Sequence, residues 1–266
     1  MSKRKALFFD IDGTLLSEVT KTVPESAKKA ISIARSLGHL VFINTGRSYG
    51  ETAQIHNIAE ADGWLCGCGT YVESEGNILL NRLMPAAQVR RIARLAVDSD
   101  ADIFLEGPGT CYYCSASGRM PFGQQLRSNF GKLVEWIAPE AVDEEVNKFC
   151  VLTDGQSDRT GFFRNLDLDI SVIDRGDGFY ECVPEGFTKA TAIDVVLETY
   201  GLTLEDAYVF GDSTNDIAMF EHVPNAVLMG KHSPELEPYA SFLTKNVEQD
   251  GIWYAMEKLG LLSEEV

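Results

Sequence analysis

The run Ala6-Leu7-Phe8-Phe9 is followed at once by Asp10-Ile11-Asp12-Gly13-Thr14. Four consecutive apolar residues without alternation suit a strand buried on both faces, as in the parallel sheet of an α/β protein. In open sheets of that kind, ligands bind outside the carboxyl ends of the strands, where strand order reverses. Asp10 and Asp12 therefore arrive where chemistry is expected. Like charges so close repel unless a cation or a shared proton relieves them. Gly13 lets the backbone bend sharply behind them. Asp, Gly and Thr are also ordinary turn residues, so a plain solvated turn is the weaker alternative for this stretch alone.

The same pattern recurs along the chain. A helix opens at Pro24 and Glu25, with Ala27, Ala30, Ile31, Ala34 and Leu37 on one stripe and Gly38 at its end. Residues 40–43 form a second buried strand, and a helical crossover makes it parallel to the first. It brings Asn44-Thr45-Gly46-Arg47 to the edge that carries Asp10. A hydroxyl and an open backbone N–H in that position can hold phosphoryl oxygens. Residues 207–210 form a further strand ending in Gly211-Asp212-Ser213-Thr214-Asn215-Asp216, which adds a third and a fourth carboxylate. Those residue types equally suit a helix cap. Lys189 opens a helix with Ile193, Val196 and Leu197 on one face. A lysine there opposes the helix dipole, a local conflict that functional sites tolerate; plain solvent exposure is the alternative.

Between these stretches the rhythm changes. Residues 49–58 read as a helix, 64–66 as a strand, and 71–83 as a hairpin turning at Glu75-Gly76-Asn77. After Met84-Pro85 comes a helix with Val89, Ile92, Ala93 and Ala96 on one face. From 84 to 184 the segments suggest a mixed unit with strands near 103–105, 148–152, 168–173 and 179–183. The α/β rhythm resumes at Val183-Pro184-Glu185 and ends in a helix with Ile252, Ala255, Met256 and Leu259. This predicts a first domain made of 1–83 and 185–266, with 84–184 inserted into it. The acidic end, Glu264-Glu265-Val266, is expected to fray.

Composition narrows the partners. With 45% hydrophobic residues in 266, the chain can bury a sizeable core. Lys and Arg number 23 against 40 Asp and Glu, a formal charge of -17, so nucleic acid is not an expected partner. No apolar run approaches the roughly 20 residues needed to cross a bilayer. The basic start, Met1 to Lys5, leads into an apolar segment cut short at Asp10, and a cytosolic protein is predicted. Six cysteines, at 66, 68, 111, 114, 150 and 182, are expected to be reduced and buried. A zinc site from the pairs 66/68 and 111/114 is rejected, because the spacing is irregular and, if 111–114 is a strand, its thiols face opposite ways.

Taken together, Asp10-Ile11-Asp12-Gly13-Thr14, Thr45-Gly46-Arg47, Lys189 and Gly211-Asp212 through Asn215-Asp216 resemble the haloacid dehalogenase superfamily, in its Cof-like type IIB sugar-phosphatase branch. The resemblance spans the whole chain. It implies a Rossmann-like core with a mostly parallel sheet and an inserted α/β cap domain. It further implies a phosphatase acting on a small phosphorylated metabolite, of sugar phosphate or pyridoxal phosphate type, with Mg²⁺ as cofactor. By that resemblance Asp10 is the nucleophile, Asp12 the acid and base, and Lys189 a catalytic cation. Asp10, Asp12 through its carbonyl, Asp212 and Asp216 hold the metal, while Thr45, Gly46, Lys189 and Asn215 grip phosphate.

One departure stands out. Where the family commonly has Asn-Gly-Ala after the third strand, this chain has Cys68-Gly69-Thr70. A phosphomutase of the same superfamily and a catalytically silent phosphometabolite-binding protein are the competing readings. Substrate identity and oligomeric state are not legible in the sequence.

Overall fold

The structure is a computed structural model of the 266-residue chain, and it describes residues 4–52, 55, 57–130 and 134–263. It divides into two compact units: residues 1–46, 54–80 and 188–266, and residues 47–53 with 81–187.

In the first unit, β1 (Ala6–Phe9), α1 (Glu25–Ser36), β2 (Leu40–Asn44) and the short α2 (Tyr49–Thr52) follow in order, α2 itself clustering with the second unit. β3 (Gly63–Cys66), β4 (Tyr71–Ser74) and β5 (Asn77–Asn81) come next. The inserted unit supplies α3 (Ala86–Asp98), β6 (Asp102–Glu106), β7 (Cys111–Cys114), α4 (Pro121–Phe130) and β8 (Val134–Trp136). It continues with β9 (Lys148–Leu152), α5 (Arg159–Asn165), β10 (Ile170–Asp174) and β11 (Phe179–Pro184). The chain then returns through α6 (Lys189–Tyr200), β12 (Ala207–Gly211), α7 (Ile217–His222), β13 (Asn225–Leu228), β14 (Phe242–Leu243) and α8 (Gly251–Lys258).

The first unit's sheet has eight strands in the order β14-β13-β12-β1-β2-β3-β4-β5. From β14 to β3 every pairing is parallel, and β3 with β4 is antiparallel. The chain runs outward from β1 through β2 and β3, then returns to the other side of β1 through β12. The order reverses between β1 and β12, which makes their carboxyl ends the switch point.

All four β1 residues are fully buried, as expected for a two-faced strand. Phe8 stacks on Phe42 with ring centroids 5.3 Å apart, in a cluster with Ile193 and Val196 of α6 and Met219 of α7. Phe9, pointing the other way, stacks on Phe210 at 4.3 Å. Each ring buried this way contributes about 1.5–3 kcal/mol, so β1 is anchored from both sides. Helices α1 and α8 pack on each other; of the predicted stripe, Ala27, Ala30, Ile31 and Ala34 are the buried side of α1, while Leu37 is half-buried at its C-terminal cap.

The second unit is a six-stranded sheet in the order β10-β11-β9-β6-β7-β8, antiparallel except for β7 with β8. The sequence reading missed β8, which is only three residues long and too short to show a period. One face of the sheet packs Ile103, Leu105 and Cys114 with Val89 and Ile92 of α3 and Phe162 of α5. The other packs Phe104, Cys111, Tyr113 and Leu152 with Phe122 of α4. Cys111 and Cys114 thus fall on opposite faces of one strand. All six cysteines are buried thiols.

Of the helix expected over 49–58, the described part is helical only over Tyr49–Thr52, and positions 53, 54 and 56 lie outside the described residues. The start at residues 1–3 and the acidic end at 264–266 also lie outside them. Among the described residues, no helix is long and apolar enough to cross a membrane.

Candidate active site

Register places the first carboxylates. Phe9 pairs with Phe210, so Asp10 and Asp212 leave adjacent strands at the same edge, and the Asp10 N–H donates to the Phe210 carbonyl at 3.0 Å. The turn after β1 is closed by N–H groups of Gly13 and Leu16, donating to the Leu16 and Ile11 carbonyls at 3.0 and 2.7 Å. Gly13 sits at φ +86, and a Cβ there would lie 2.4 Å from Asp212 Oδ2. Only glycine satisfies both the left-handed backbone and the approach of that carboxylate. Gly13→Ala is expected to cost about 1–2 kcal/mol from the backbone alone. It should also lower kcat/KM by at least about tenfold by displacing Asp212. Urea unfolding and initial rates test this, and a variant with wild-type activity would remove the close approach from the argument.

Asp212 is half-buried and accepts from Thr14 Oγ1 at 3.0 Å. After it, Ser213 caps a 3-10 turn, Thr214–Asp216, and Asp216 folds back over the turn's start. Asp216 Oδ2 accepts the N–H groups of Asp212 and Ser213 at 2.9 and 3.2 Å. The capping role of these acidic residues and a site role are therefore combined in one loop.

Lys189 is the first residue of α6, whose N-cap Thr188 forms a reciprocal pair of bonds with Thr191. Its side chain is fully buried, against the exposed lysine that position would ordinarily carry. Nζ donates to Asp10 Oδ1 and to Asp216 Oδ1, each at 2.6 Å. Burial works against the ammonium, but Asp10 and Asp216 outweigh it and hold Lys189 above its ordinary range. Burial likewise pushes Asp10 up to about 8; Lys189 opposes this, and Asp216 and Asp212 add to it. Burial, with Asp216 next, raises Asp212 to about 7.

One lysine does not neutralise this group. Asp10, Asp212 and Asp216 each offer an oxygen within 4.8 Å of the others. The donors are hard oxygens of like charge in a desolvated place, the setting that a small divalent cation such as Mg²⁺ fits. Asp216 differs from the sequence expectation in emphasis: one of its oxygens already holds Lys189 and the other holds two backbone N–H groups. The Asp12 side chain is exposed on the turn and stands outside the three-carboxylate group.

Thr45 is buried and Gly46 half-buried just beyond the end of β2, the strand next to β1. Asn215 is half-buried and accepts from Ser213 Oγ at 2.8 Å. Two further residues belong to the site's framework. Thr14 steadies Asp212, and the buried Asn44 at the end of β2 donates to the Lys189 carbonyl at 3.1 Å. A polar residue closing an otherwise apolar strand was the available signal for Asn44. Cys68, where the resemblance leads one to expect Asn, is buried at φ +53 in the turn Gly67–Gly69. A Cβ at Gly69 would lie 2.0 Å from the Thr188 carbonyl, so this turn presses on the cap of α6.

The polar candidates of the inserted unit have local partners. Arg119 donates to Asp154 and Asp100, and Arg159 to the Tyr180 hydroxyl at 3.0 Å. Glu106 is buried 3.2 Å from Lys148, which also pairs with Glu181 at 2.7 Å.

A doubly wound α/β unit with a lysine-bridged cluster of carboxylates at its switch point is the framework of a phosphoryl-transfer or hydrolytic enzyme. Residues 7–256 match the family model of the haloacid dehalogenase-like hydrolases, and the chain belongs to that family. The protein named "Putative phosphatase YkrA" of Bacillus subtilis (strain 168) is 29% identical over 97% of this chain and 98% of its own length. The HMP-PP phosphatase of Yersinia pseudotuberculosis is 26% identical over 86% of this chain and 85% of its own length. In fold, the chain is similar to the HAD subclass IIB sugar phosphatase BT4131, with a TM-score of 0.81, 24% identity, and 97% and 99% of the two chains covered.

Proposed function

We propose that this chain is a Mg²⁺-dependent phosphatase that hydrolyses small phosphomonoesters, of sugar phosphate or pyridoxal phosphate type, through an aspartyl-phosphate on Asp10. The observation that carries the reading is the fully buried Lys189 ammonium held at 2.6 Å from both Asp10 and Asp216. A purely structural ion pair gains little from complete burial, whereas a site that must receive an anion next to a carboxylate needs a fixed cation.

Asp10 Oδ1 is pinned by Lys189, which orients the carboxylate for attack on phosphorus through its other oxygen. The bond from phosphorus to the leaving oxygen breaks as the Asp10 bond forms. Asp12, on the exposed turn two residues on, gives that oxygen a proton. In the second step Asp12 takes a proton from water, the water oxygen bonds to phosphorus, and the Asp10 carboxylate leaves. Thr45, the Gly46 N–H, Lys189 and Asn215 hold the remaining phosphoryl oxygens. A Mg²⁺ ion held by Asp10, Asp212, the Asp12 carbonyl and Asp216 would supply the positive charge that lets an anionic nucleophile meet an anionic ester. The second unit is read as the cap that sets substrate choice, and the protein as cytoplasmic.

The test is phosphate release from a panel of sugar phosphates, nucleotides, pyridoxal phosphate and HMP-PP, with Mg²⁺ or with chelator. Release that requires the metal supports the reading and ranks the substrates. Isomerised product without phosphate points to a mutase. Binding of panel members without any turnover points to a silent binding protein.

A further inference from the structure

We infer that Asn44 is a positioning residue for the Lys189 ammonium, acting through the lysine's own backbone. β2 reads Leu40-Val41-Phe42-Ile43-Asn44, and all five residues are buried. The first four are apolar and pack the core; the fifth is a fully buried amide. Its Nδ2 donates to the Lys189 carbonyl at 3.1 Å and lies 3.6 Å from Met219 Sδ. A carbonyl only accepts, so this contact sets the amide's orientation. Its Oδ1 is then left buried with no hydrogen-bond partner among the described residues.

That asymmetry is informative. A buried amide using only its donor half leaves an acceptor desolvated, which works against stability. An apolar residue of similar volume would continue the strand's packing without that cost. What Asn44 adds is a bond to the residue whose side chain spans Asp10 and Asp216. Met219, its other neighbour, lies on α7, the helix that begins directly after Asp216. The amide therefore sits against α6, which carries the lysine, and α7, whose N-cap is the lysine's second carboxylate, Asp216.

The start of α6 is held from a second direction as well. The turn Gly67–Gly69 presses on the Thr188 carbonyl, with room there only for a glycine. Lysine is the side chain with much rotamer freedom to lose, and its placement depends on where its backbone is fixed. A shift of the α6 start of about 1 Å would move Nζ out of reach of a phosphoryl oxygen, a displacement that can cost on the order of 10²-fold in rate.

The inference rests on the phosphatase reading, and its test separates the two. Wild-type protein, Asn44→Leu and Asn44→Ala are compared in Tm, in kcat and KM on the best substrate of the panel, and in calorimetric binding of inorganic phosphate with Mg²⁺ present. Wild-type protein without phosphate release rejects the phosphatase reading before Asn44 is considered. Given wild-type turnover, Asn44→Leu is expected to keep or exceed the wild-type Tm, because the orphaned acceptor is gone. Its kcat/KM should fall by about ten- to a hundredfold, and its phosphate binding should weaken by about tenfold. Asn44→Gln, which keeps a donor, should recover part of both losses. Kinetics and phosphate binding within twofold of wild type in the Leu variant would overturn the inference. So would lost activity that follows a lowered Tm while phosphate binding is unchanged, the signature of a structural role. Should Asn44→Leu not fold, Asn44→Ala is read in its place, and failure of both to fold also rejects the inference.

Discussion

Lys189→Met is expected to leave the protein without measurable turnover and about 3–5 kcal/mol less stable at neutral pH, the cost of stranding buried charge. Methionine fills much the same space and packs adaptably, so the loss is electrostatic and not steric. The ammonium lies 2.6 Å from both Asp10 Oδ1 and Asp216 Oδ1, and its side chain is fully buried. Without it, Asp10 loses the ammonium that opposes its rise and still faces Asp212 and Asp216, so its carboxyl rises further from the ordinary 3.8. The folded chain then keeps a proton that the unfolded chain releases. Stability is present below about 4 and is lost as pH rises through the raised value. The deficit should therefore be smaller at pH 5 than at pH 8 in urea unfolding without metal. Equal stability of variant and wild type at pH 8 would show that the bridge contributes nothing to the fold.

Asp10→Asn separates function from stability in the opposite sense. The amide keeps the shape and can still accept from Lys189, but it cannot attack phosphorus, and phosphate release should fall by on the order of 10³-fold or more. In metal-free wild-type protein, Asp10 near 8 and Asp212 near 7 both stand above 3.8. Each contributes stability below about 4 that is lost as pH rises through its folded value. Removing the Asp10 part flattens that dependence, so the metal-free variant should melt above metal-free wild type at pH 8. At pH 5, where both carboxyls are largely protonated in the fold, the two should melt closely together. A shift of about 2–4 °C is expected for each kcal/mol relieved. Addition of Mg²⁺ should raise the wild-type Tm more than the variant's. Retained turnover would remove Asp10 as the nucleophile; a lower Tm at pH 8 would contradict the stored repulsion.

Without metal, burial and mutual repulsion work against the ionised carboxylates of the candidate site. Neutral or apolar residues would suit that buried edge better, and the proposed phosphatase chemistry gives the reason for carboxylates there. Gly13 and Gly69 show the same pressure in the backbone. Each has a positive φ and stands where a side chain would strike a site residue or its support, Asp212 in one case and Thr188 in the other.

Much of this was legible before any coordinates. Apolar runs at 6–9, 40–43 and 207–210 name the central strands because burial on both faces leaves no alternation. Polar residues at or just past the end of each run, Asp10, Asn44 with Thr45, and Asp212, mark the candidate site's edge because a doubly wound sheet exposes its strands' carboxyl ends there. The short β8 was not legible, and neither was the way residues 47–53 cluster with the second unit, because neither leaves a periodic signal.

Sequence by itself determined which residues end the strands, and so which carboxylates, hydroxyls and glycines could share one edge; local periodicity and turn chemistry carry that information. Only the tertiary structure decided that Lys189, which on its own reads as a surface lysine, is buried against Asp10, 179 residues away. Only it showed Asp216 committed to Lys189 and the loop backbone, and Asn44 spending one half of its amide on the Lys189 carbonyl. The physical reason is that a residue's period reports the surface of its own element. Distances and unpaired atoms arise from the register and crossing of several elements, which no local pattern encodes.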